Sequence, residues 1–475
     1  MHRSSLLALA LASPVAAQAQ STTADDAGQS TITVPIALAT KRPAILFNRW
    51  QEDWSVLADP TLRTEPLDRL KYRALAPTDQ RVWLTFGGGL RERFETNEAP
   101  LLGTVPGRAD SYVISRAELF ADLHAGPVQA FAEVQSDFAP GKRLRSPVDA
   151  NRLDLEQAFV ALVTPVGSGA LKLRIGRQQF AFDLQRFVAV RDGPNIRQSF
   201  DAVWADYEIG KWRAIAYWSQ PVANRDAKAF DDFSNGHNRF YGARLERKIL
   251  GGSELSAYWS RFTDDGAAFL DAAGRERRDV LDLRFAGKSG AFDWDLEAMG
   301  QRGRVGDKRV RAWAMGSRSG YTFGGTLKPR LGLQVDAASG DRHPGDGTLG
   351  TFNPLFPNGA YLTLAGYTGY VNFIHVKPSV TVMPRTGLSV TAAAAAQWRM
   401  TVADAIYSQP GIALPRTAGQ GSRWTGAYGQ LRTDWAATAH VSLALEAVHF
   451  AIGDTLRAAG GHDGNYLGLE AKYGW

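Results

Sequence analysis

From about residue 81 onward, hydrophobic residues recur at every second position, with polar or charged residues between them. In the stretch VLDLRF, Leu281 and Leu283 alternate with Asp282 and Arg284. A helix would repeat its apolar face about every 3.6 residues, whereas successive side chains of a strand point to opposite faces. The pattern therefore predicts β-strands that each have one apolar and one charged face.

About eighteen segments show this alternation, and most of them approach the ~9–11 residues that a tilted strand needs to cross a bilayer. They lie near residues 81–95, 111–124, 128–137, 153–164, 170–180, 199–209, 212–220, 239–249, 253–263, 278–287, 291–300, 310–318, 327–337, 367–378, 386–398, 423–435, 441–450 and 465–475. The connections between them alternate between tight turns, such as HAGP (124–127) and IGK (209–211), and long polar loops. This alternation predicts an antiparallel meander with one rim of tight turns and one rim of large loops.

Two kinds of protein fit such strands, namely a row of soluble β-sandwiches and one closed barrel in a membrane. Strands this numerous would need several sandwich domains, and no Pro-, Ser- or Gly-rich linker separates such domains. A barrel turns its apolar faces to lipid and its charged faces to a wet lumen, and it has no exposed strand edge. We therefore predict an all-β fold, a transmembrane antiparallel β-barrel of about eighteen strands over residues 81–475.

The N-terminus predicts export from the cytoplasm. It has a basic start, a short apolar stretch and small residues, which is the pattern of a secretory signal peptide over residues 1–19. Residues 20–80 hold Trp50, Trp54 and several prolines but no sustained alternation. We expect them to form a periplasmic N-terminal extension against or inside the barrel mouth. A separate small domain is the less favoured alternative, because the segment is short for a large core.

Composition and motifs argue against catalysis, cofactors and nucleic-acid binding. Cysteine is absent, which excludes thiolate chemistry, and the eight histidines lack the spacing of zinc ligands. Asp232, Ser234 and His237 share one loop, but no P-loop or G-x-S-x-G motif occurs. Basic residues are interleaved with acidic ones and do not form clusters. We expect no enzyme activity, no cofactor, no metal and no nucleic-acid partner.

Several motifs resemble those of the bacterial alginate-export family of outer-membrane barrels. They are RWQEDWSVLADPTLRTEPLDRLKY (49–72), GGGLRERFE (87–95), NRLDLEQAFVAL (151–162), GRQQF (176–180) with RDGPNIRQSFD (191–201), GDRHPGDGTLGTFNPLFPNG (340–359) and HFAIGDTLRAAGGHDGNYLGLE (449–470). The resemblance implies an eighteen-stranded barrel in the bacterial outer membrane, surrounded by lipid and lipopolysaccharide. It also implies passive export of a polyuronate through an electropositive lumen, and it leaves room for a periplasmic export partner.

Arginines are the candidate site residues, because a guanidinium matches two N–H donors to the two oxygens of a carboxylate. In a wide barrel the lumen stays aqueous, and rings of basic side chains favour anions. Strand parity predicts inward positions for Arg93, Arg116, Arg174, Arg244, Arg284, Arg330 and Arg432. The resemblance implies that the loop after the fifth strand approaches the channel, with Arg177, Arg186, Arg191 and Arg197 at its constriction. In the alternative, Arg191 pairs with Asp192 or Asp201 and stiffens the loop.

The predicted function is passive passage of an anionic polysaccharide, such as an alginate-like polyuronate, or of another anionic solute through an arginine-rich lumen. A small-solute porin unrelated to uronates is one alternative. A barrel enzyme that acts at the external rim is another. Fold and family alone do not determine the passenger.

Overall fold

The computed structural model describes residues 41–76, 78–105 and 109–475. The signal peptide predicted over residues 1–19, and residues 20–40 of the predicted extension, lie outside the described residues. Within the described ranges, no helix combines the length and the apolar character that crossing a membrane requires.

Eighteen long strands follow one another along the chain, and each pairs antiparallel with its neighbours in sequence. They are Val82–Asn97 (β1), Asp110–Ala125 (β2), Val128–Phe138 (β3), Asn151–Val166 (β4), Gly169–Gln178 (β5), Phe200–Ile209 (β6), Trp212–Ala223 (β7), Asn238–Lys248 (β8), Glu254–Ala268 (β9), Ala273–Ser289 (β10), Phe292–Val305 (β11), Lys308–Thr322 (β12), Arg330–Ala338 (β13), Phe373–Arg385 (β14), Leu388–Arg399 (β15), Trp424–Ala436 (β16), Val441–Ile452 (β17) and Gly464–Gly474 (β18). Strand β18 returns to β1, with Leu90 opposite Tyr473 and Phe94 opposite Leu469. The sheet closes on itself, and the prediction of an eighteen-stranded antiparallel barrel is confirmed.

The remaining regular elements are short. Two-residue strands occur at Arg73–Ala74, Phe233–Ser234, Thr348–Leu349, Tyr407–Ser408 and Ile412–Ala413, single 3-10 turns at Arg49–Gln51, Ser55–Ala58, Pro60–Leu62, Pro100–Gly103 and Leu250–Gly252, and short α-helices at Asp68–Lys71 (α1) and Asp454–Ala458 (α2). One predicted strand is displaced, because the segment expected over residues 367–378 begins at Phe373 and continues to Arg385. Residues 367–372 are buried in the preceding loop, and Pro378, which has no N–H, interrupts the pairing of β14 with β15.

Exposure alternates along the strands in the opposite sense to that of a soluble protein. In β10, Leu281 and Leu283 are 58% and 56% exposed, whereas Asp282 between them is 0% exposed. Such an apolar outer belt faces acyl chains in a bilayer, and the charged faces are left to line the lumen.

The two rims of the barrel differ in their connections. Two-residue turns join β2 to β3, β4 to β5 and β6 to β7 at one rim, which also carries the N-terminal extension and is the periplasmic side of an outer-membrane barrel. Two long loops from the opposite, external rim turn back into the lumen. They are residues 179–199, here called inward loop 1, and residues 339–372, here called inward loop 2.

The two inward loops bind each other by main-chain hydrogen bonds inside the barrel. Ala189 donates its N–H to the carbonyl of Phe356 at 2.8 Å, and Phe356 donates to the carbonyl of Phe187 at 2.8 Å. Aromatic side chains surround this contact, and the ring centroids of Phe180 and Phe200 lie 4.3 Å apart. The lumen beside β6–β12 is therefore a packed core, and an open cavity lies on the other side of the barrel.

Polar contacts attach inward loop 1 to the barrel wall. The side-chain amide of Asn195 donates to the carbonyls of Ser115 and Phe138 at 3.1 and 3.0 Å. It also donates to the carbonyl of Asp149 in the loop between β3 and β4, at 3.1 Å. Arg116 on β2 donates in turn to the carbonyl of Asn195 at 2.7 Å. One buried side chain thus holds the loop at three places.

The N-terminal extension lies inside the periplasmic mouth. Trp50 and Trp54 are 4% and 1% exposed. Phe47 reaches far enough into the lumen to pack against Ala181 and Val190 of inward loop 1. The extension therefore fills part of the barrel, beside the core that the inward loops form.

We expect Asn195→Ala to loosen inward loop 1, because three carbonyls lose the two N–H donors that they share, at a cost of about 1 kcal/mol for each donor. Trypsin added to the detergent-solubilised barrel should then cut after Arg186 or Arg197, which are 1% and 4% exposed in the wild-type protein. Asn235→Ala is the matched control, because Asn235 lies in another external loop and its side chain accepts one hydrogen bond from His237. Equal cleavage of the two variants would contradict the anchoring role of Asn195.

Candidate functional site

A cavity of about 660 Å³ occupies the open side of the lumen, between β12–β18, β1, β2 and the inward loops. Lys142 and Gln409 line it from external loops. Arg330 and Asp434 line it from near the periplasmic ends of β13 and β16. The cavity therefore extends along the lumen from the external loops towards the periplasmic mouth, and we call it the lumenal passage.

Nine basic and six acidic side chains line the lumenal passage, so its net charge is positive. The basic ones are Arg91, Arg93, Lys142, Arg191, Arg318, Arg330, Lys377, Arg432 and Lys472, and the acidic ones are Glu95, Asp149, Asp192, Asp434, Glu446 and Glu470. The two signs are not evenly mixed, because most of the acidic groups gather on one wall.

The first wall, formed by β1 and β16–β18, is a network in which each cation has a carboxylate partner. Arg93 lies 2.5 Å from Glu95 and 3.3 Å from Glu470, and it also pairs with Glu446. Arg432 pairs with the same Glu446 from the neighbouring strand. Shared carboxylates of this kind compensate the cations, so this wall presents alternating charges and little net attraction for an anion.

Inward loop 1 joins this network through Asp192. The carboxylate of Asp192 lies 2.9 Å from Lys472 and 2.6 Å from Arg116. Burial opposes its ionisation, but Lys472, Arg116 and Arg91 outweigh that effect and hold the pKa of Asp192 well below its usual range. No ion pair joins Asp192 to Arg191 in the part of the chain that the structure describes, which differs from the pairing alternative considered from the sequence.

The second wall, formed by β12–β14 and the inward loops, carries Arg191, Arg318 and Lys377. None of the three has a carboxylate within 4.0 Å among the described residues. Lys377 donates to the carbonyl of Leu362 at 2.8 Å, and Arg191 donates to a main-chain carbonyl at 3.3 Å. The guanidinium of Arg318 lies 5.3 Å from the ring centroid of Tyr361. These neutral partners leave three positive charges uncompensated beside the lumenal passage.

Four of the eleven predicted arginines line the lumenal passage, namely Arg93, Arg191, Arg330 and Arg432. Arg330 donates to both carboxylate oxygens of Asp293, at 2.5 and 2.9 Å. Arg191 is therefore the one of these four without a carboxylate partner in the described ranges.

Six other predicted arginines face the interior but lie away from the lumenal passage. They are Arg116, Arg174, Arg186, Arg197, Arg244 and Arg284. Arg186 donates to Asp295 at 2.9 Å and to the hydroxyl of Tyr361 at 2.5 Å, and Arg244 donates to Asp183 at 2.6 Å. Strand parity and loop position predicted an inward location, but the inward loops and the N-terminal extension fill the space around four of these side chains. Arg244 and Arg284 line a separate cavity of about 110 Å³.

Arg177 is not brought into a constriction, and its placement corrects the prediction made for it. It lies on the outward face of β5 together with Ile175, which is 58% exposed. Its guanidinium donates to the carboxylate of Asp201 at 3.0 Å near the external rim. The physical reason is the alternation of side chains along a strand. Arg174 and Arg177 are three residues apart on β5, so they point to opposite faces of the sheet, and Arg174 faces inward.

Five basic residues of the lining were missed from the sequence, namely Arg91, Lys142, Arg318, Lys377 and Lys472. Arg318 follows Trp313 and Met315 on β12, which are 39% and 51% exposed and therefore face lipid. Parity alone would have assigned Arg318 to the lumen. No comparable signal exists for Lys142, which lies in an external loop.

Among the residues that the structure describes, two groups of three carboxylates have oxygens close enough to hold a metal ion. They are Asp154 with Asp231 and Asp232, and Asp183 with Asp282 and Glu297. In the second group, Arg244 and Arg186 already bind Asp183 and Glu297. In the first group, the carboxylate of Asp154 accepts main-chain N–H groups at 2.8 and 2.9 Å. Donors of the protein itself therefore account for Asp154, Asp183 and Glu297, whereas neither carboxylate oxygen of Asp282 has a hydrogen-bond partner among the described residues.

Ser234 and His237, which share a loop with Asp232, are directed to other partners. Ser234 donates its hydroxyl to Asp201, and His237 lies 3.5 Å from Asp265. The loop therefore shows no serine–histidine pair of the kind that activates a nucleophile.

Comparison with known proteins extends these observations. The model of the alginate export family matches residues 82–470. No curated protein matches the chain. Solved structures of three Pseudomonas aeruginosa proteins are similar. OccK8 (OprE) has 13% identity and a TM-score of 0.55 over 82% of this chain and 98% of that one. OccD3 (OpdP) has 11% identity and a TM-score of 0.55 over 86% and 93%. OccK2 (OpdF), in complex with glucuronate, has 14% identity and a TM-score of 0.51 over 82% and 98%.

At these identities the solved structures show the fold alone, whereas the family match covers nearly all of the barrel. The family match, the apolar exterior and the closed sheet place the chain in the bacterial outer membrane. It is an outer-membrane channel for anionic solutes, and the chain belongs to the alginate export family.

Proposed function

We propose that the channel passes carboxylate-bearing sugars, with an alginate-like polyuronate as the polymer that suits it, by passive movement along the second wall of the lumenal passage. The observation that carries this proposal is the set of Arg191, Arg318 and Lys377. Among the described residues no carboxylate neutralises them, although carboxylates are abundant on the opposite wall. A carboxylate of the solute supplies the partner that these cations lack.

The two walls have complementary roles in passage. A guanidinium binds a carboxylate through two parallel hydrogen bonds, and a lysine ammonium acts as a compact charge. Conduction also requires release, so each contact has to stay weak. Glu446 and Glu470 on the opposite wall repel a carboxylate and keep the solute near the second wall without trapping it. Movement then proceeds from one basic side chain to the next.

A uronate suits the second wall in its charge. OccK2, which is similar in fold, was solved in complex with glucuronate, a sugar that carries one carboxylate. A polyuronate repeats that group once per sugar, so several basic residues can act on one chain at the same time.

A small-solute porin that has no link to uronates is the second candidate. The size of the cavity favours it, because the inward loops and their aromatic packing leave a lumenal passage of about 660 Å³. The same three cations would then serve small organic anions in general. The enzyme alternative gains no support from the loop of Ser234 and His237, so we propose transport without catalysis.

We expect the double variant Arg318→Gln/Lys377→Gln to lose anion preference. Each charge next to a permeating ion contributes on the order of 1 kcal/mol in a wet lumen, so the anion-to-cation permeability ratio should fall roughly tenfold. Reversal potentials across planar bilayers in a salt gradient measure this ratio. The matched control is Arg247→Gln/Lys211→Gln, which removes one arginine and one lysine that are exposed at the periplasmic rim. Equal reversal potentials for the two double variants would refute the assignment.

We expect oligouronates to block the wild-type current, and neutral oligosaccharides of the same length to block it far less, because only the former bind the second wall. Arg191→Gln should weaken the block several-fold, and raising the salt concentration should weaken it further by screening. Equal block by neutral and charged oligomers would favour the general porin. Shortening of the oligouronate during incubation would favour the enzyme.

A further inference from the structure

Residues 45–57 of the N-terminal extension, here called the plug, occupy the lumen beside β1–β6. None of them lines the lumenal passage, which runs on the other side of the inward loops. Phe47 contacts inward loop 1, and Trp50 lies edge-on to Phe159 of β4 with ring centroids 5.8 Å apart. The plug therefore fills a second portion of the lumen that the barrel strands alone would leave open.

Side chains, and not a shared sheet, hold the plug in place. Arg49 donates to the carbonyl of Gly88 at 3.1 Å and to that of Trp475 at 2.6 Å, and its guanidinium lies 4.7 Å from the ring centroid of Phe120. Gln129 donates its side-chain amide to the carbonyl of Trp50 at 2.7 Å. In the part of the chain that the structure describes, no main-chain N–H of the plug bonds to a main-chain carbonyl of the barrel. The plug can leave without breaking the strand ladder, which β1 and β18 close by themselves.

Two buried cations lie directly beneath the plug. Lys172 and Arg174 on β5 approach the ring centroid of Trp50 to 4.4 and 4.6 Å. Neither has a carboxylate within 4.0 Å among the described residues. One terminal nitrogen of Arg174 has no hydrogen-bond partner, and this residue is 3% exposed. The ring of Trp50 therefore covers positive charges that the described protein does not neutralise.

We propose that the plug is a displaceable gate, whose withdrawal towards the periplasm opens a second and wider anion path along β1–β6. Withdrawal uncovers Lys172 and Arg174, so the newly opened space is lined by cations and carries the same selectivity as the lumenal passage. This inference rests on the proposed channel function, but it concerns a separate part of the lumen. A polymer that the lumenal passage admits only in single file would gain room when the gate opens.

The first test is the single-channel conductance of Arg49→Ala, which removes the hydrogen bonds to Gly88 within β1 and to Trp475 just after β18. We expect the conductance roughly to double, because the open cross-section of the lumen grows, and we expect the current to stay anion-selective. Arg69→Ala is the matched control, since Arg69 lies exposed in the same extension. A conductance equal to that of Arg69→Ala would overturn the inference.

A reversible lock gives the second test. The chain has no cysteine, and a Cβ atom placed on Gly474 would lie 4.0 Å from the Cβ of Ile45, within the range of a disulfide. On the Arg49→Ala background, the oxidised pair Ile45→Cys/Gly474→Cys should restore the wild-type conductance, and reduction should raise it again. A conductance that is unchanged by reduction would contradict the gate.

Labelling provides a readout that does not depend on current. Lys172→Cys places a single thiol beneath Trp50, and a maleimide reagent should modify it faster on the Arg49→Ala background than on the Arg69→Ala background. Equal rates in folded, heat-modifiable barrels would overturn the inference.

If the wild-type protein conducts anions but neither the conductance nor the labelling rate responds to Arg49→Ala, only the gate fails. If the wild-type protein shows no anion-selective current, the proposed channel function fails, while labelling still decides whether the plug moves.

Discussion

The interior of this barrel is governed by the cost of leaving an ionised side chain without a partner. Lipid cannot solvate charges, so the strands direct their ionised side chains inward, into a space where many lie away from bulk water. The inward loops supply part of the compensation, for example Asp183 for Arg244 and Asp192 for Arg116. They also bring an aromatic core of their own. The lumen is therefore largely a folded interior, and the lumenal passage is a portion that remains unfilled.

We attribute anion selectivity to the basic side chains of the lumenal passage that have no carboxylate partner among the described residues. The first wall repeats cation and carboxylate from strand to strand, which makes it polar and nearly neutral. The second wall has carbonyl and aromatic partners for Arg191, Arg318 and Lys377 in place of carboxylates. In the function that we propose, an anion is therefore held to the second wall and does not bind equally around the lumenal passage. Both the number of basic residues and the neighbours of each one decide how strongly the barrel attracts anions.

Local periodicity predicted the barrel almost completely, because side-chain alternation is a property of each strand by itself. The count of eighteen, the tight-turn rim and the inward face of Arg330 all follow from it. The occupancy of the lumen could not be predicted in this way. Arg174 and Arg186 face the interior, yet Trp50 covers the first and Tyr361 binds the second, through contacts between residues far apart in the chain. The start of β14 was misplaced for a related reason, because the tertiary burial of residues 367–372 outweighed their strand-like pattern.

The hydrogen bonds of Arg49 also constrain the order of assembly. Its two carbonyl acceptors belong to Gly88 on the first strand and to Trp475 just after the last one. Trp475 lies 426 positions after Arg49 in the chain. Their common docking site exists only when the two ends of the sheet have met. The plug is synthesised before every barrel strand, but it can bind in its final position only after all of them have paired. A bound plug therefore indicates that the barrel has closed.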